Sequence, residues 1–261
     1  MLEKSIPFFY LKMQIAKIIS ILDVMAPFET AESWDNVGLM VGDPAQEVTA
    51  IVVSLDPSFE VIAWAQENAA DCIITHHPLF FEPIRCLNLQ EITAKKVSML
   101  LASRISLVSM HTNLDTAQDG VADVLAQKLS LNNIEKNGVL RTGSVTGEKM
   151  LPLWSRDLPF ENIRLVDSGT PVRLVCACPG SGMDYWRDAY ASGCDTFVTG
   201  DVKYHAALDA KEAGMNVVDL GHHGTEELIV VPFMERLQQE LQGVYISAYE
   251  STDIFMSGKG E

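Results

Sequence analysis

The chain has 261 residues, of which 48% are hydrophobic, and a formal net charge of -16 at pH 7. This length and apolar content suffice for one large core or two smaller ones, so we expect a soluble globular protein. The negative charge repels nucleic-acid phosphate and anionic lipid, which argues against non-specific nucleic-acid binding and against a membrane partner.

The N-terminal run Ile6–Leu11 is apolar but too short to span a membrane, and it does not have the features of a signal peptide. From Met13 onward, apolar residues at helical spacing predict an amphipathic helix that ends near Pro27. Met13 is an alternative start, and residues 1–12 would then be an extension.

Beyond this helix, strand-like and helix-like runs alternate, which is typical of α/β proteins with covered sheets. The predicted strands are Ala50–Leu55, Cys72–Thr75, Ile105–Met110, Val172–Cys178, Thr196–Thr199, Asn216–Leu220 and Val244–Ser247. Helices are predicted between most of them, and the last helix is predicted from about Thr225 to Leu241 with a kink near Pro232.

An internal repeat predicts two related halves. A shift of 124 positions, from 71 to 195, aligns Asp71-Cys72-Ile73-Ile74-Thr75 with Asp195-Thr196-Phe197-Val198-Thr199, and it also aligns Ile51-Val52-Val53 with Val175-Cys176-Ala177. We therefore predict an α/β fold of two related, interlinked α/β/α halves with mixed or mainly parallel sheets. Gly200-Asp201 takes the place of His76-His77 in the second half, so the halves are expected to differ in chemistry.

Five of the six histidines lie in three short segments, His76-His77, His111–Asp115 and His222–Glu226, each of which follows a predicted strand. Strand ends are where α/β proteins build their sites. Imidazole and carboxylate ligands are the donors of catalytic Zn, Mn, Fe or Co centres. The sequence therefore predicts a metal site.

The bounds of the two halves predicted from the repeat can be given together with the candidate ligands that each half carries. The first half covers residues 13–137 and carries His76, His77 and Asp115, and the second half covers residues 172–261. Residues 138–171 are the predicted connection, because this stretch has the weakest periodicity and several glycines and prolines. The turn 222–226 of the second half is expected to return to the metal site.

Each candidate ligand has a structural alternative. Adjacent histidines in a strand point to opposite faces, but a turn at Pro78 can direct both rings towards neighbouring metals. Asp115 can cap a helix predicted from Gly120 to Leu129, and Glu226 can be a favourable charge at a helix start. We favour ligand roles because several candidate metal ligands occur together in these segments. Glu227 is assigned to a solvated helix end.

His111 and His205 are the candidate catalytic residues. His111 is a metal ligand, a hydrogen-bonding support for a ligand or a proton shuttle, and His205 is a surface or substrate-facing residue. The segment Trp34–Gly38 is either a turn anchored by its tryptophan or a contact to a subunit or substrate, and we favour the packing role.

The five cysteines are odd in number and lack Cys-x-x-Cys spacing, which indicates buried free thiols in a reducing cytosol. We therefore expect a cytoplasmic protein. Cys176 and Cys178 share one strand face and could bind a soft metal, but core packing is favoured.

At these residues the chain resembles the Nif-three-like family, whose members are often named GTP cyclohydrolase I type 2 homologues. The resemblance covers nearly everything from Met13 onward. Its motifs are Glu32-Ser33-Trp34-Asp35-Asn36-Val37-Gly38-Leu39, Thr75-His76-His77-Pro78-Leu79-Phe80-Phe81, His111-Thr112-Asn113-Leu114-Asp115, Thr199-Gly200-Asp201-Val202-Lys203-Tyr204-His205 and Gly221-His222-His223-Gly224-Thr225-Glu226.

The resemblance implies two divalent metal ions per chain. His77 and Asp115 would hold one ion, His76 and His222 the other, and Glu226 would bridge both. It also implies a ring-shaped homohexamer, and the short connection is similar to that of the compact family members that lack an inserted domain.

Two bridged divalent ions suit hydrolysis, because they lower the pKa of a shared water and polarise the substrate. The leading hypothesis is a dinuclear-metal-dependent hydrolase that acts on a nucleotide. The family resemblance suggests GTP, with ring opening and formate release, although the chain shows no Gly-rich phosphate loop. The alternative is a non-enzymatic hexameric metal-binding scaffold or metal-delivery protein. A purely structural metal is disfavoured, since such sites favour closed shells rich in cysteine.

Overall fold

The computed structural model describes residues 11–255, so the predicted apolar run at 6–11 lies, except for Leu11, outside the described residues. The α-helices of the described residues are α1 (Ile15–Met25), α2 (Phe59–Glu67), α3 (Ile92–Ser103), α4 (Thr112–Thr116), α5 (Val121–Lys128), α6 (Leu151–Trp154), α7 (Trp186–Ala191), α8 (Tyr204–Glu212), α9 (His222–Glu226) and α10 (Val230–Glu240). The strands are β1 (Met13–Gln14), β2 (Gly38–Val41), β3 (Glu47–Val48), β4 (Ala50–Ser54), β5 (Cys72–Thr75), β6 (Ser106–Ser109), β7 (Asn132–Asn137), β8 (Leu140–Lys149), β9 (Arg164–Val166), β10 (Val172–Ala177), β11 (Thr196–Thr199), β12 (Asn216–Asp219) and β13 (Tyr245–Tyr249).

The described chain divides into two compact units. Residues 11–113 and 230–250 form the first unit, and residues 114–229 and 251–255 form the second. None of the helices in the described part of the chain is both long and apolar enough to cross a lipid bilayer.

A five-stranded sheet organises the first unit, in the order β13-β4-β5-β6-β2. The first four strands are parallel, and β2 closes the edge in antiparallel orientation. Val52, Ile73 and Leu107 of the sheet pack with residues of α2 and α3 in one apolar cluster. Their neighbours in the strands point to the other face and are equally buried, so both faces of the sheet are covered.

A six-stranded mixed sheet organises the second unit, in the order β7-β8-β10-β11-β12-β9. Val175 and Ala177 of β10 face one apolar cluster, which includes residues of α5 and α6. Cys176 lies in a second cluster on the opposite face, together with residues of α7 and α8. The alternation of β10 thus separates two helical layers, which is the predicted α/β/α arrangement.

A buried ion pair joins α5 to β8 in the second unit. The Arg141 side chain is 1% exposed, and its Nε donates to Asp123 Oδ1 at 2.5 Å. Lys136 Nζ donates to the other carboxylate oxygen of Asp123 at 2.6 Å. Burial alone would raise the pKa of Asp123, but the hydrogen bonds from Lys136 and Arg141 hold it below its ordinary value.

The predicted repeat is present in the strand register. Ile51 pairs with Cys72 in the first unit, and Val175 pairs with Thr196 in the second, which is the same pairing shifted by 124 positions. The two sheets also share the order of three parallel strands followed by one antiparallel strand, β4-β5-β6-β2 and β10-β11-β12-β9.

A repeated side-chain contact supports the same relation. In the first unit, Asp71 accepts hydrogen bonds from the backbone of Thr49 and Ala50. In the second unit, Asp195 accepts hydrogen bonds from the backbone of Arg173 and Leu174, again 124 positions later. Both carboxylates satisfy backbone donors at the start of a strand, so this contact is a common element of the two halves.

The observed units differ from the predicted halves in three places. Residues 114–137 belong to the second unit, and residues 230–250 belong to the first, because β13 pairs with β4 of the first sheet. The stretch predicted as a connection, 138–171, contributes β8 and β9 to the second sheet. The predicted last helix begins earlier, at His222, and a 3-10 turn at Glu227–Ile229 interrupts it before Pro232.

The cysteines of the described residues are free thiols, and all but Cys86 are buried. Cys176 and Cys178 lie in the apolar cluster on one face of the second sheet. Burial raises the pKa of the Cys178 thiol well above its ordinary value. The core-packing interpretation of this pair is therefore confirmed.

Candidate metal centre

Three histidines gather at the carboxyl edge of the first sheet. The ladder continues past β5 and β6, since His76 N donates to Ser54 O and Met110 N donates to Thr75 O. Thr75 Oγ1 donates to His77 O at 2.7 Å and fixes the turn that follows β5. His76, His77 and His111 each offer a ring nitrogen, and these atoms lie within 4.8 Å of one another. The turn after β5 therefore brings the two adjacent rings together, with centroids 5.0 Å apart.

Each of these three rings is oriented through its Nδ1 atom. His76 Nδ1 donates to Met110 O at 2.9 Å, and His77 Nδ1 donates to Asp56 Oδ1 at 2.8 Å. His111 Nδ1 donates to Asp35 Oδ1 at 2.8 Å. A backbone carbonyl and ionised carboxylates can only accept, so Nδ1 carries the proton in each of these contacts.

Asp35 is held in its charged form by its neighbours. Burial alone would raise the pKa of Asp35, but hydrogen bonds from His111 and Thr112 lower it to about 2. The segment Trp34–Gly38, for which a packing turn was the favoured prediction, therefore also supports His111 through Asp35.

In the second unit, His222 and Glu226 lie on one face of α9, four residues apart. His222 Nε2 is 3.0 Å from Glu226 Oε2, and His222 Nδ1 is 2.7 Å from Asp201 Oδ2. The Glu226 side chain is buried, so it is not a solvated charge at a helix start. Carboxylate oxygens of Asp115 and Glu226 lie within 4.8 Å of each other, which places three of the predicted ligands in this unit together.

Glycine makes room for the Glu226 carboxylate. Gly180 has φ +59°, and a Cβ at this position would lie 2.2 Å from Glu226 Oε1. Its backbone is held on both sides, since Gly180 N donates to Thr225 Oγ1 and Gly200 N donates to Gly180 O. The carboxylate therefore lies directly against the loop that follows β10.

Three other expectations concern single residues. Asp115 lies inside α4, and Gly120 is the N-cap of α5, so Asp115 does not cap that helix. The prediction of a solvated Glu227 is wrong, since its carboxylate accepts hydrogen bonds from Ser251 N and Oγ. His205 is exposed at the start of α8 and, within the described part of the chain, joins no cluster of metal-ligating groups. Its substrate-facing role stays a prediction.

The sequence did not reveal that Asp56 and Asp201 orient His77 and His222. Both residues follow strands of their sheets, as the histidines do. That position was the one available signal, because an orienting carboxylate cannot be distinguished by residue type from a surface carboxylate. Partners of this kind fix the tautomer and the ring direction of metal-binding histidines.

The chain is similar in sequence to curated proteins from other organisms. A Clostridium perfringens protein named GTP cyclohydrolase 1 type 2 homolog is 33% identical over 259 residues, which cover 93% of this chain and 99% of that protein. A Helicobacter pylori protein named GTP cyclohydrolase 1 type 2 is 32% identical, with 81% of this chain and 86% of that protein covered.

The fold is also similar to solved structures. The crystal structure of a Staphylococcus aureus protein aligns with a TM-score of 0.86 and 29% identity, and the alignment covers 94% of this chain and 99% of that one. The sequence model of the family Duf34/NIF3 (NGG1p interacting factor 3) matches residues 13–253. The resemblance based on the motifs is thus confirmed, and the chain belongs to the Duf34/NIF3 family.

Proposed function

We propose that this protein is a metal-dependent hydrolase with a dinuclear centre. Its ligands would be His76, His77, Asp115, His222 and Glu226. The observation that supports this proposal most strongly is the common orientation of the histidines, because each predicted histidine ligand is held by a hydrogen bond at Nδ1, the arrangement that fixes the ring of a metal-binding histidine. Histidines that serve only packing have no reason to share this arrangement.

The donor distances within each unit suit metal ligation. Two donors bonded to one ion at about 2.1 Å lie roughly 3 Å apart at a right angle, and about 4.2 Å apart when opposed. The separation of 3.0 Å between His222 Nε2 and Glu226 Oε2 matches the first case. Ring nitrogens of His76 and His77, which lie within 4.8 Å, suit ligands of two neighbouring ions about 3.5–4 Å apart.

Divalent Zn, Mn, Fe or Co ions at this centre would supply Lewis acidity and lower the pKa of a bound water. As the family resemblance implies, one ion would be held by His77 and Asp115 and the other by His76 and His222. Glu226 would bridge both. His111 would accept or relay a proton at Nε2, while the charged Asp35 keeps the proton on Nδ1.

The substrate that we propose is GTP, with opening of the purine ring and release of formate. The Helicobacter pylori relative is named GTP cyclohydrolase 1 type 2, which supports this choice. We further propose that the protein acts in the cytoplasm as a ring-shaped homohexamer, as the family resemblance implied. A non-enzymatic scaffold or metal-delivery protein would need the same ligands, so turnover is the property that separates the two functions.

The test combines metal content with turnover. Elemental mass spectrometry of the purified, untagged protein should give close to two ions per chain, and the protein should release formate from GTP in a metal-dependent manner. Asp115→Ala and Glu226→Ala should abolish this turnover while the circular dichroism spectrum is retained, and Glu212→Ala, which removes an exposed carboxylate, should leave turnover unchanged. Full activity in either ligand variant would refute the proposal. Two ions per chain without turnover would favour the scaffold.

A further inference from the structure

Two aromatic rings lie exposed beside His111 in the first unit. The Trp34 side chain is 59% exposed and the Phe81 side chain is 49% exposed. Their ring centroids are 5.9 Å apart, and His111 is 6.0 Å from the indole and 5.8 Å from the phenyl ring. The packing role favoured for the tryptophan from the sequence therefore does not account for most of its surface.

The backbone beside both rings is held by hydrogen bonds. Asp35, directly after Trp34, accepts from His111 Nδ1 and from Thr112 N. Asn36 Nδ2 donates to Phe80 O at 2.8 Å and so links the turn of Trp34 to the residue before Phe81. The two rings are thus kept near each other without being covered. Because this segment is already ordered, ligand binding costs less conformational entropy.

We propose that Trp34 and Phe81 form a stacking platform for the purine ring of the substrate. This inference rests on the proposed function, because the platform would be the site at which that hydrolase binds the purine ring of its substrate. Aromatic side chains bind nucleobases through their π faces, and this contact does not require particular hydrogen bonds. The platform lies against His111, so a ring stacked on it is close to the histidine cluster that would carry the chemistry.

The size of the expected effect follows from stacking. Removal of one aromatic platform residue costs about 1–3 kcal/mol per base, which corresponds to a roughly 5- to 150-fold weaker affinity. Trp34→Ala and Phe81→Ala should each weaken guanosine binding to the metal-loaded protein within this range. Trp34→Phe should retain most of the affinity and Trp34→Leu should not, because leucine supplies apolar area without a π face.

Isothermal titration calorimetry with guanosine, GTP and ribose 5-phosphate tests these expectations. The platform predicts that Trp34→Ala and Trp34→Leu lose affinity for guanosine and GTP but not for ribose 5-phosphate, which has no purine ring. Guanosine should also quench the fluorescence of the exposed indole, and Trp34→Phe should remove this quenching. Tyr190→Ala is the matched control, since Tyr190 is a half-exposed aromatic residue that contacts Trp186 in the second unit.

Metal content and oligomeric mass are measured on every variant. Unchanged guanosine affinity in Trp34→Ala and Phe81→Ala, equal affinity in the Phe and Leu variants of Trp34, or no binding of guanosine by the wild-type protein would each overturn the platform. A loss of affinity that accompanies a changed oligomeric mass would assign the rings to a subunit contact and overturn it as well. Failure of the hydrolase is separate: guanosine binding that depends on Trp34, without formate release from GTP, supports the platform and refutes the turnover.

Discussion

Substitution of Gly180 by alanine tests whether the position of the Glu226 carboxylate determines metal binding. The added Cβ would lie 2.2 Å from Glu226 Oε1, whereas ordinary contact begins at 3.4 Å, so the carboxylate must move by about 1.2 Å. The loop cannot easily move instead, because hydrogen bonds hold Gly180 on both sides. Disturbance of groups that position metal ligands typically weakens metal affinity by about 10- to 100-fold.

The expected loss can be expressed as stability. Alanine at φ +59° costs about 1–2 kcal/mol in backbone strain, with or without metal. At saturating metal, a 10- to 100-fold weaker affinity removes a further ~1.4–2.7 kcal/mol of the stabilisation that the metal provides. Gly138→Ala is the matched control, because Gly138 has φ +55° and its added Cβ would have no neighbour within 4 Å.

The assay is chemical unfolding of both variants with and without Zn or Mn, together with a metal titration. Both variants should lose similar stability in the metal-free state. Gly180→Ala should also show weaker metal affinity and a smaller gain in stability on metal addition, whereas Gly138→Ala should match the wild-type protein. Equal metal affinity in the two variants would refute the claim that Glu226 is a ligand held in place by this loop.

Three further predictions concern contacts inside each unit. Asp201→Asn should weaken metal affinity about 10- to 100-fold, measured by titration, because it removes the negative charge that holds the proton on His222 Nδ1. Asp123→Asn should cost ~3–5 kcal/mol in urea unfolding, since it leaves a buried guanidinium unpaired. The wild-type contribution of Asp123 should be present above pH 3.8 and lost as the pH falls through its lowered folded pKa, so the difference between Asp123→Asn and wild type should shrink in acid. Asp71→Ala and Asp195→Ala should each lower protection from hydrogen exchange in their own unit by ~1–3 kcal/mol, and no loss in either unit would contradict the repeated contact.

The sequence was sufficient for the central strands and insufficient for the edges of the sheets. The buried parallel strands β4, β5, β10 and β11 are short apolar runs, and the repeat in the sequence relates β4 and β5 to β10 and β11, which pair in the same register. The edge hairpin β7-β8 was missed because β7 is polar and largely exposed, so it carries no hydrophobic period. The assignment of β13 to the first sheet depends on pairing between Tyr245 and Ala50, and no local pattern encodes such a distant partner.

For the candidate site, residue type identified the donors but not their supports. Histidines that directly follow strand-like runs are conspicuous in the sequence, which is why His76, His77 and His222 could be selected. Asp201 could not be selected as a support, because its role depends on the 2.7 Å contact with an imidazole far along the chain. The same is true of Gly180, whose importance is visible only when the Glu226 carboxylate lies against it.

The repeat also explains how two similar sheets hold different chemistry. In the first half, Asp56 orients His77; a shift of 124 positions places Gly180 at the position of Asp56 and Asp201 at the position of His77. The second half therefore has neither member of that pair. The residues at these two positions have different roles in the second half: Asp201 orients His222, and Gly180 leaves space for the Glu226 carboxylate. One strand framework thus supports imidazole donors after β5 in one unit, and an imidazole and a carboxylate on α9 in the other. The register of the strands is therefore the same in the two units, while the loops that follow the strands carry different residues.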